Sequence, residues 1–329
     1  MEGYITLDYE LGMGVKTGTP ELCLFAPMKY LTEMLDKYGI KTNIFVDAAY
    51  LLRIRQLKNK FPQLQKDYDE VTSHISELDE KGHAIQLHLH PQWCYSSFNG
   101  EEWILDKDHY KLSDMPLDEQ KNLIHDGVQL LNSLIKRKVT AFRAGGYSVE
   151  NFPELYNTFL QEGIMVDTSV LRGEMYKSKY QTYDYRSIPK KTSYKFFGTL
   201  KKENIEGEMT EYPISVKRLP YILYFLKRLF NRSKMMEAQK KWGDGIGIGY
   251  PGGKKQMILT NLKMLTGMKS LASYIEFGYY LEEVYSYSKR HYTGNDFVII
   301  GHPKILAPYT INCLEQFILN HPEITFKLF

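Results

Sequence analysis

The chain has only three cysteines in 329 residues, Cys23, Cys94 and Cys313, odd in number and far apart. They make no disulfide framework, and a reducing, cytoplasmic setting is expected. No apolar run approaches the ~20 residues that a membrane-crossing helix needs. A secretory leader is not expected, because a strand-like pattern begins almost at residue 1 and leaves it no room. Net charge is +3, too small to argue for a nucleic-acid partner. No internal repeat and no low-complexity linker interrupts the chain. What remains, 43% hydrophobic and 25% charged, is the composition of a folded soluble protein long enough to bury a large core. Aromatic residues are plentiful, with 26 tyrosines, a composition suited to carbohydrate or other polar ligands.

Two short runs carry the chemistry. In Ile85-Gln86-Leu87-His88-Leu89-His90-Pro91 the side chains of a strand alternate faces, so His88 and His90 point one way and Leu87 and Leu89 the other. Two imidazoles can then meet one metal ion, or one can meet a metal and the other a substrate. In Tyr4-Ile5-Thr6-Leu7-Asp8-Tyr9-Glu10 the same parity puts Asp8 and Glu10 on one face, at the C-terminal end of the first strand. Catalytic groups of parallel α/β folds gather at such strand ends. Two carboxylates and two histidines there suit a divalent-metal and acid–base site.

The pattern along the chain alternates strands with helices, which reads as βαβ units around a parallel sheet or barrel. Helices are expected at about 26–38, 66–81, 117–136 and 151–162, with strands at 42–46, 139–143 and 164–167 between them. From 172 to 295 the alternation breaks in a region rich in Tyr, Lys and Gly. It resumes at 297–302, followed by a helix to about 320 and a last strand at 324–326. One domain, 1–329, with 172–295 as an insertion is the simplest account. Three more strand ends carry polar residues: Arg143, followed by Ala144-Gly145-Gly146-Tyr147; Asp167, followed by Thr168-Ser169; and His302, followed by Pro303. The glycines would let backbone approach a ligand closely.

In this order the segments resemble the motifs of the NodB-homology polysaccharide deacetylases, carbohydrate esterase family 4. The Phe-Arg-Ala-Gly-Gly run is similar to that of a branch in surface-glycan biosynthesis. The resemblance covers roughly residues 1–170 and 296–329. It implies a distorted (β/α)7 barrel and hydrolysis of the amide of an N-acetylated sugar with a bound divalent metal. It makes Asp8 the general base, His88 a metal ligand, Arg143 the group that orients the base, Asp167 the fourth motif's acid and His302 the general acid. Two family positions differ: Tyr9 stands where a second, metal-binding aspartate is expected, and Gln92 where a second ligand histidine is expected. Strand parity offers Glu10 and His90 in their place, so that Glu10, His88 and His90 would hold Zn²⁺ or a similar ion. Loss of the metal is the alternative, leaving a different amide chemistry or a metal-free glycan-binding or assembly protein. Tyr9, Trp93, Gly145, Gly146, Tyr147 and Asp244 are the candidate substrate contacts. The substrate would be lipid-linked, nucleotide-linked or an oligosaccharide.

Two features of the insertion stand out. Trp242 to Lys255 is glycine-rich, and Gly247, Gly249 and Gly252 satisfy G-x-G-x-x-G. No strand precedes it and Pro251 interrupts a helix start, so a loop over the barrel mouth is expected, with a phosphate contact through Lys254 or Lys255 as the alternative. Just before it, Lys217 to Phe230 is basic, aromatic and apolar. It reads as a helix packed on the barrel with a solvated basic edge, or as one lying on an anionic membrane surface.

Overall fold

The computed structural model describes residues 1–149, 151–247 and 267–329. Seven parallel strands form the centre of the molecule. In spatial order they are Met209–Glu211, Val166–Asp167, Ala141–Ala144, Ala84–Leu89, Asn43–Asp47, Glu2–Tyr9 and Asp296–Gly301. The sheet curls until its ends are linked: Ser273 N donates to Ser215 O at 2.9 Å, and Ile300 N donates to Ser273 O at 3.0 Å. The alternation leaves a parallel sheet or a barrel open, and the fold observed is the barrel that the resemblance implies.

Both faces of these strands are buried, as a parallel sheet flanked by helices requires. The outer face is apolar. Ile5 and Leu7 of the first strand, Ile44 and Val46 of the second, and Leu87 and Leu89 of the third belong to one continuous core. Helix Ala26–Asp36 sets Met28, Leu31 and Leu35 into that core, and helix Leu117–Leu134 adds Ile124, Val128 and Leu131. Spacings of three and four residues give each helix one buried stripe. The inner face is different in kind. Register places Asp47 beside His88 and His88 beside Arg143, so the barrel interior is lined by groups that ionise.

Helix Pro62–Glu80 starts earlier than expected, at the proline that opens it. A helix at Ala48–Leu57 was not legible, because it follows strand Asn43–Asp47 with no intervening turn residue. The 172–295 segment is woven into the barrel rather than laid over it. Tyr194–Phe196 and Met209–Glu211 join the main sheet, and residues 273–274 bridge its two ends. Of the glycine-rich run, Ile246 pairs with Lys16, while Gly249, Pro251, Gly252, Lys254 and Lys255 lie outside the described residues.

Candidate active site

The polar residues at the strand ends meet in one cluster. Glu10 Oε2 lies 2.6 Å from His90 Nε2 and 3.4 Å from His88 Nε2, with all three side chains buried. Neither Glu10 Oε2 nor His88 Nε2 makes a hydrogen bond. His88 Nδ1 donates to the Arg143 carbonyl at 2.8 Å. A carbonyl can only accept, so a proton sits on Nδ1 and Nε2 is the ring atom that faces Glu10. An unpartnered Glu10 oxygen and an unpartnered His88 nitrogen, with His90 Nε2 against that oxygen and the His88 ring fixed from behind, fit a divalent cation of the zinc type. Gly145 makes room for this corner: a Cβ there would stand 2.5 Å from Leu89 O and 2.8 Å from His90 Nδ1. Gly146 and Tyr147 follow with φ of 57° and 61° and turn the chain sharply at the rim.

Asp8 stands beside this trio. Arg143 Nη1 donates to Asp8 Oδ1 at 2.6 Å, and its other donors reach Thr6 Oγ1 at 2.8 Å, Thr168 Oγ1 at 3.1 Å and Thr168 O at 3.0 Å. The guanidinium also lies 4.4 Å from the centre of the Phe45 ring. Burial alone would raise the Asp8 carboxyl. The charge of Arg143, with those of His88 and His302, outweighs it and holds the group well below the usual carboxylate range. His302 closes the cluster, with Nε2 3.5 Å from Asp8 Oδ2 and Nδ1 2.6 Å from Glu276 Oε1. Burial works against its charged form, yet Glu276 and Asp8 push its pKa up to about 10.

Four further residues of this site were not among those expected. Glu276 comes from the 172–295 segment. Lys304 Nζ donates to Glu10 Oε1 and to Leu11 O, both at 2.9 Å. Asp47 Oδ1 accepts from His90 N at 3.1 Å, and burial raises its pKa. Tyr110 sets its ring edge-on to His90, with centroids 5.7 Å apart. Strand parity could have found Asp47, because it pairs in register with His88.

Other expected site residues lie elsewhere. Tyr9 pairs in register with Val46, on the face opposite Asp8, and its hydroxyl meets His74 Nδ1 at 2.8 Å in the core. Trp93 is fully buried, packed on Tyr50 and Trp103 with centroids 4.8 and 5.0 Å away. Asp167 pairs with Phe142, so it too faces away from Arg143. Its oxygens accept from Ser169 N and Ser169 Oγ, and it shares a buried contact with Glu211. The next residue, Thr168, is the one that holds Arg143. Asp244 is occupied in tying its loop down: Oδ1 accepts from Thr19 N at 2.8 Å and from Cys23 Sγ at 3.5 Å. Tyr147 stays at the rim, its hydroxyl 2.7 Å from that of Tyr274, whose ring centroid is 5.9 Å from His302.

No family model matches the chain, and no curated protein matches it. Solved structures do. One, from Mycobacterium smegmatis and described as a polysaccharide deacetylase, is 12% identical over 97% of this chain and 82% of its own, with a TM-score of 0.46. PuuE allantoinase is 11% identical over 99% and 86%, also at 0.46. A polysaccharide deacetylase from Bacillus cereus is 10% identical over 100% and 91%, at 0.41. Likeness at this level assigns neither an activity nor a substrate.

Proposed function

We propose that this chain is a hydrolase that removes the acetyl group from an N-acetylated sugar, with a divalent metal at Glu10, His88 and His90, in surface-polysaccharide biosynthesis. One observation carries the reading. Orphaned buried ligand atoms stand next to a carboxylate held ionised by Arg143 and a histidine held charged by Glu276. When bound, a divalent cation supplies Lewis-acid polarisation and lowers the pKa of water from about 15.7 to about 7.

The chain's own residues do the rest. Asp8 is a weak base because Arg143 stabilises its charged form, so it takes a proton only from an acidified water. Arg143 keeps one Asp8 oxygen engaged and leaves the other toward His302. As the amide carbon is attacked, His302 donates a proton to the departing nitrogen; a free amide anion is too basic to leave. Such general-acid help is worth about 10²–10⁴-fold. The Tyr147 and Tyr274 hydroxyls, at the rim beside His302, are placed to orient sugar hydroxyls. The surface-glycan role and the sugar substrate follow from the resemblance around Phe142-Arg143-Ala144-Gly145-Gly146.

A second reading stands on Lys304. Its ammonium already holds one Glu10 oxygen and would serve as the cation of a metal-free amide chemistry on a sugar. One assay separates the two. Acetate release from N-acetylglucosamine oligomers and from nucleotide-linked N-acetylhexosamines is followed with added Zn²⁺, Co²⁺ or Mn²⁺ and with chelator. Metal-dependent release that Asp8→Asn abolishes supports the first reading. Release that survives chelator and is lost in Lys304→Met supports the second. No acetate under any condition overturns both.

A further inference from the structure

Helix Tyr221–Phe230 is mounted with its apolar side outward. At about 100° per residue, Phe225, Leu229, Ile222, Leu226, Phe230 and Leu223 follow one another around the axis over an arc of about 160°. All six are exposed, from 41% at Leu226 to 85% at Phe230. The opposite side meets the protein. Tyr221 is buried, Tyr224 half-buried, and Lys227 Nζ donates to Glu283 Oε2 at 2.8 Å. A helix stabilised only by packing on its own domain would be turned the other way, because each of these side chains loses the benefit of burial where it stands. Contiguous apolar exposure of this kind marks a surface that something else covers.

Charge around the helix selects the occupant. From residue 217 to 234 the chain carries Lys217, Arg218, Lys227, Arg228, Arg232 and Lys234 and no acidic residue. Lys217 and Lys227 pair with Glu283 and Arg218 with Glu174, so the border is set by Arg228, Arg232 and Lys234. A second copy is disfavoured, since a two-fold contact would set these three like charges against their copies. One ten-residue helix also covers far less than the ~800 Å² per partner of a stable interface. An apolar face with a cationic border matches the acyl-headgroup boundary of an anionic membrane. The helix also adjoins the candidate active site. Tyr224, Arg228 and Lys269 line a cavity of about 210 Å³ together with Tyr274, whose ring stands 5.9 Å from His302.

We propose that helix Tyr221–Phe230 docks the protein on an anionic lipid surface, with Ile222, Leu223, Leu226, Leu229 and Phe230 entering the boundary and Arg228, Arg232 and Lys234 meeting phosphate headgroups. No helix among the described residues is long and apolar enough to cross a membrane, so the contact is interfacial. Docking is independent of the chemistry at Asp8.

Co-sedimentation of the full chain with vesicles tests it, using phosphatidylcholine alone and an equal mixture with phosphatidylglycerol. Binding to the mixed vesicles should be at least ~10-fold tighter than to the neutral ones and should weaken with salt. Leu226→Glu/Phe230→Glu, at solvent-facing positions, should keep its circular dichroism and Tm and lose binding by ~10-fold or more. Arg232→Ala/Lys234→Ala should bind more weakly and with a shallower salt dependence. Absence of binding to either vesicle at low salt overturns the proposal. So does equal binding by the Leu226→Glu/Phe230→Glu variant, or a wild-type dimer that this variant converts to monomer.

Discussion

His302 Nδ1 lies 2.6 Å from Glu276 Oε1 while its Nε2 faces Asp8 Oδ2 at 3.5 Å, so one imidazolium is held between two carboxylates. Glu276→Gln removes one of the two charges and keeps the shape. His302 should then titrate below its value of about 10. If His302 is the proton donor, the alkaline limb of the pH–rate profile moves down with it. The same group links stability to pH. Its folded pKa is raised, so its contribution is complete below the unfolded value of about 6.5 and fades as pH rises toward 10. Wild-type Tm should therefore fall across that window and the Glu276→Gln Tm should fall less. Two-dimensional NMR of the histidine rings reads the pKa directly; an unchanged value would remove Glu276 from the account.

Lys304 and a bound cation compete for Glu10. With Nζ 2.9 Å from Oε1, the ammonium already neutralises the carboxylate that completes the trio, and a divalent ion must share it or displace it. Lys304→Met keeps the aliphatic stem and deletes the charge. Zn²⁺ affinity should rise by ~10-fold or more, a change of the size that partners of metal ligands exert but of opposite sign, because this ammonium competes with the ion. Calorimetric titration measures it. Equal affinity in the two proteins would mean that the lysine swings away at no cost.

Arg143 is the group whose exact geometry cannot be replaced. Its side chain is fully buried and makes four hydrogen bonds, one to a carboxylate. Arg143→Lys offers one compact charge where a planar fork is required. Arg143→Met goes further and leaves Asp8 buried without its partner, which costs about 3–5 kcal/mol. Denaturant unfolding should show a loss of that order for Arg143→Met and a smaller one for Arg143→Lys. Asp8→Asn/Arg143→Met removes both charges together and should recover part of the loss. If the double variant is less stable than Arg143→Met, the pair does not act as a unit.

Much of this arrangement was legible because a strand has a period of two. Parity alone puts Asp8 with Glu10 and His88 with His90, and the structure brings those four residues together. The same rule turns Tyr9 away within the Asp8 strand itself and, one strand beyond Arg143, turns Asp167 away, since each pairs in register with a residue of the outer face. Trp93 misled for another reason: an aromatic residue close to two histidines in sequence is carried by a short turn into the core. Glu276 and Lys304 could not be found locally. Each reaches the cluster through tertiary packing, Glu276 from a 3₁₀ turn in a segment with no regular alternation.

Asp167 and Glu211, though away from Arg143, make their own prediction. Both are fully buried, and burial raises the pKa of each; Glu211, with Asp167 against it, stays well above the usual glutamate value. Two carboxyls so placed share a proton. A raised folded pKa means that the folded protein binds more protons than the unfolded chain above about pH 4.3, where an unfolded glutamate begins to ionise. Stability from the pair is thus complete at acid pH and is lost as pH climbs through the folded value. Glu211→Gln imitates the protonated acid, with an amide N–H that can donate to Asp167 at any pH. The variant should match wild type near pH 4 and exceed its Tm by a few degrees at pH 8, as scanning calorimetry across that range would show. A lower Tm at pH 8 would mean that Glu211 is ionised in the folded protein and that a second cation, such as Arg172, compensates it.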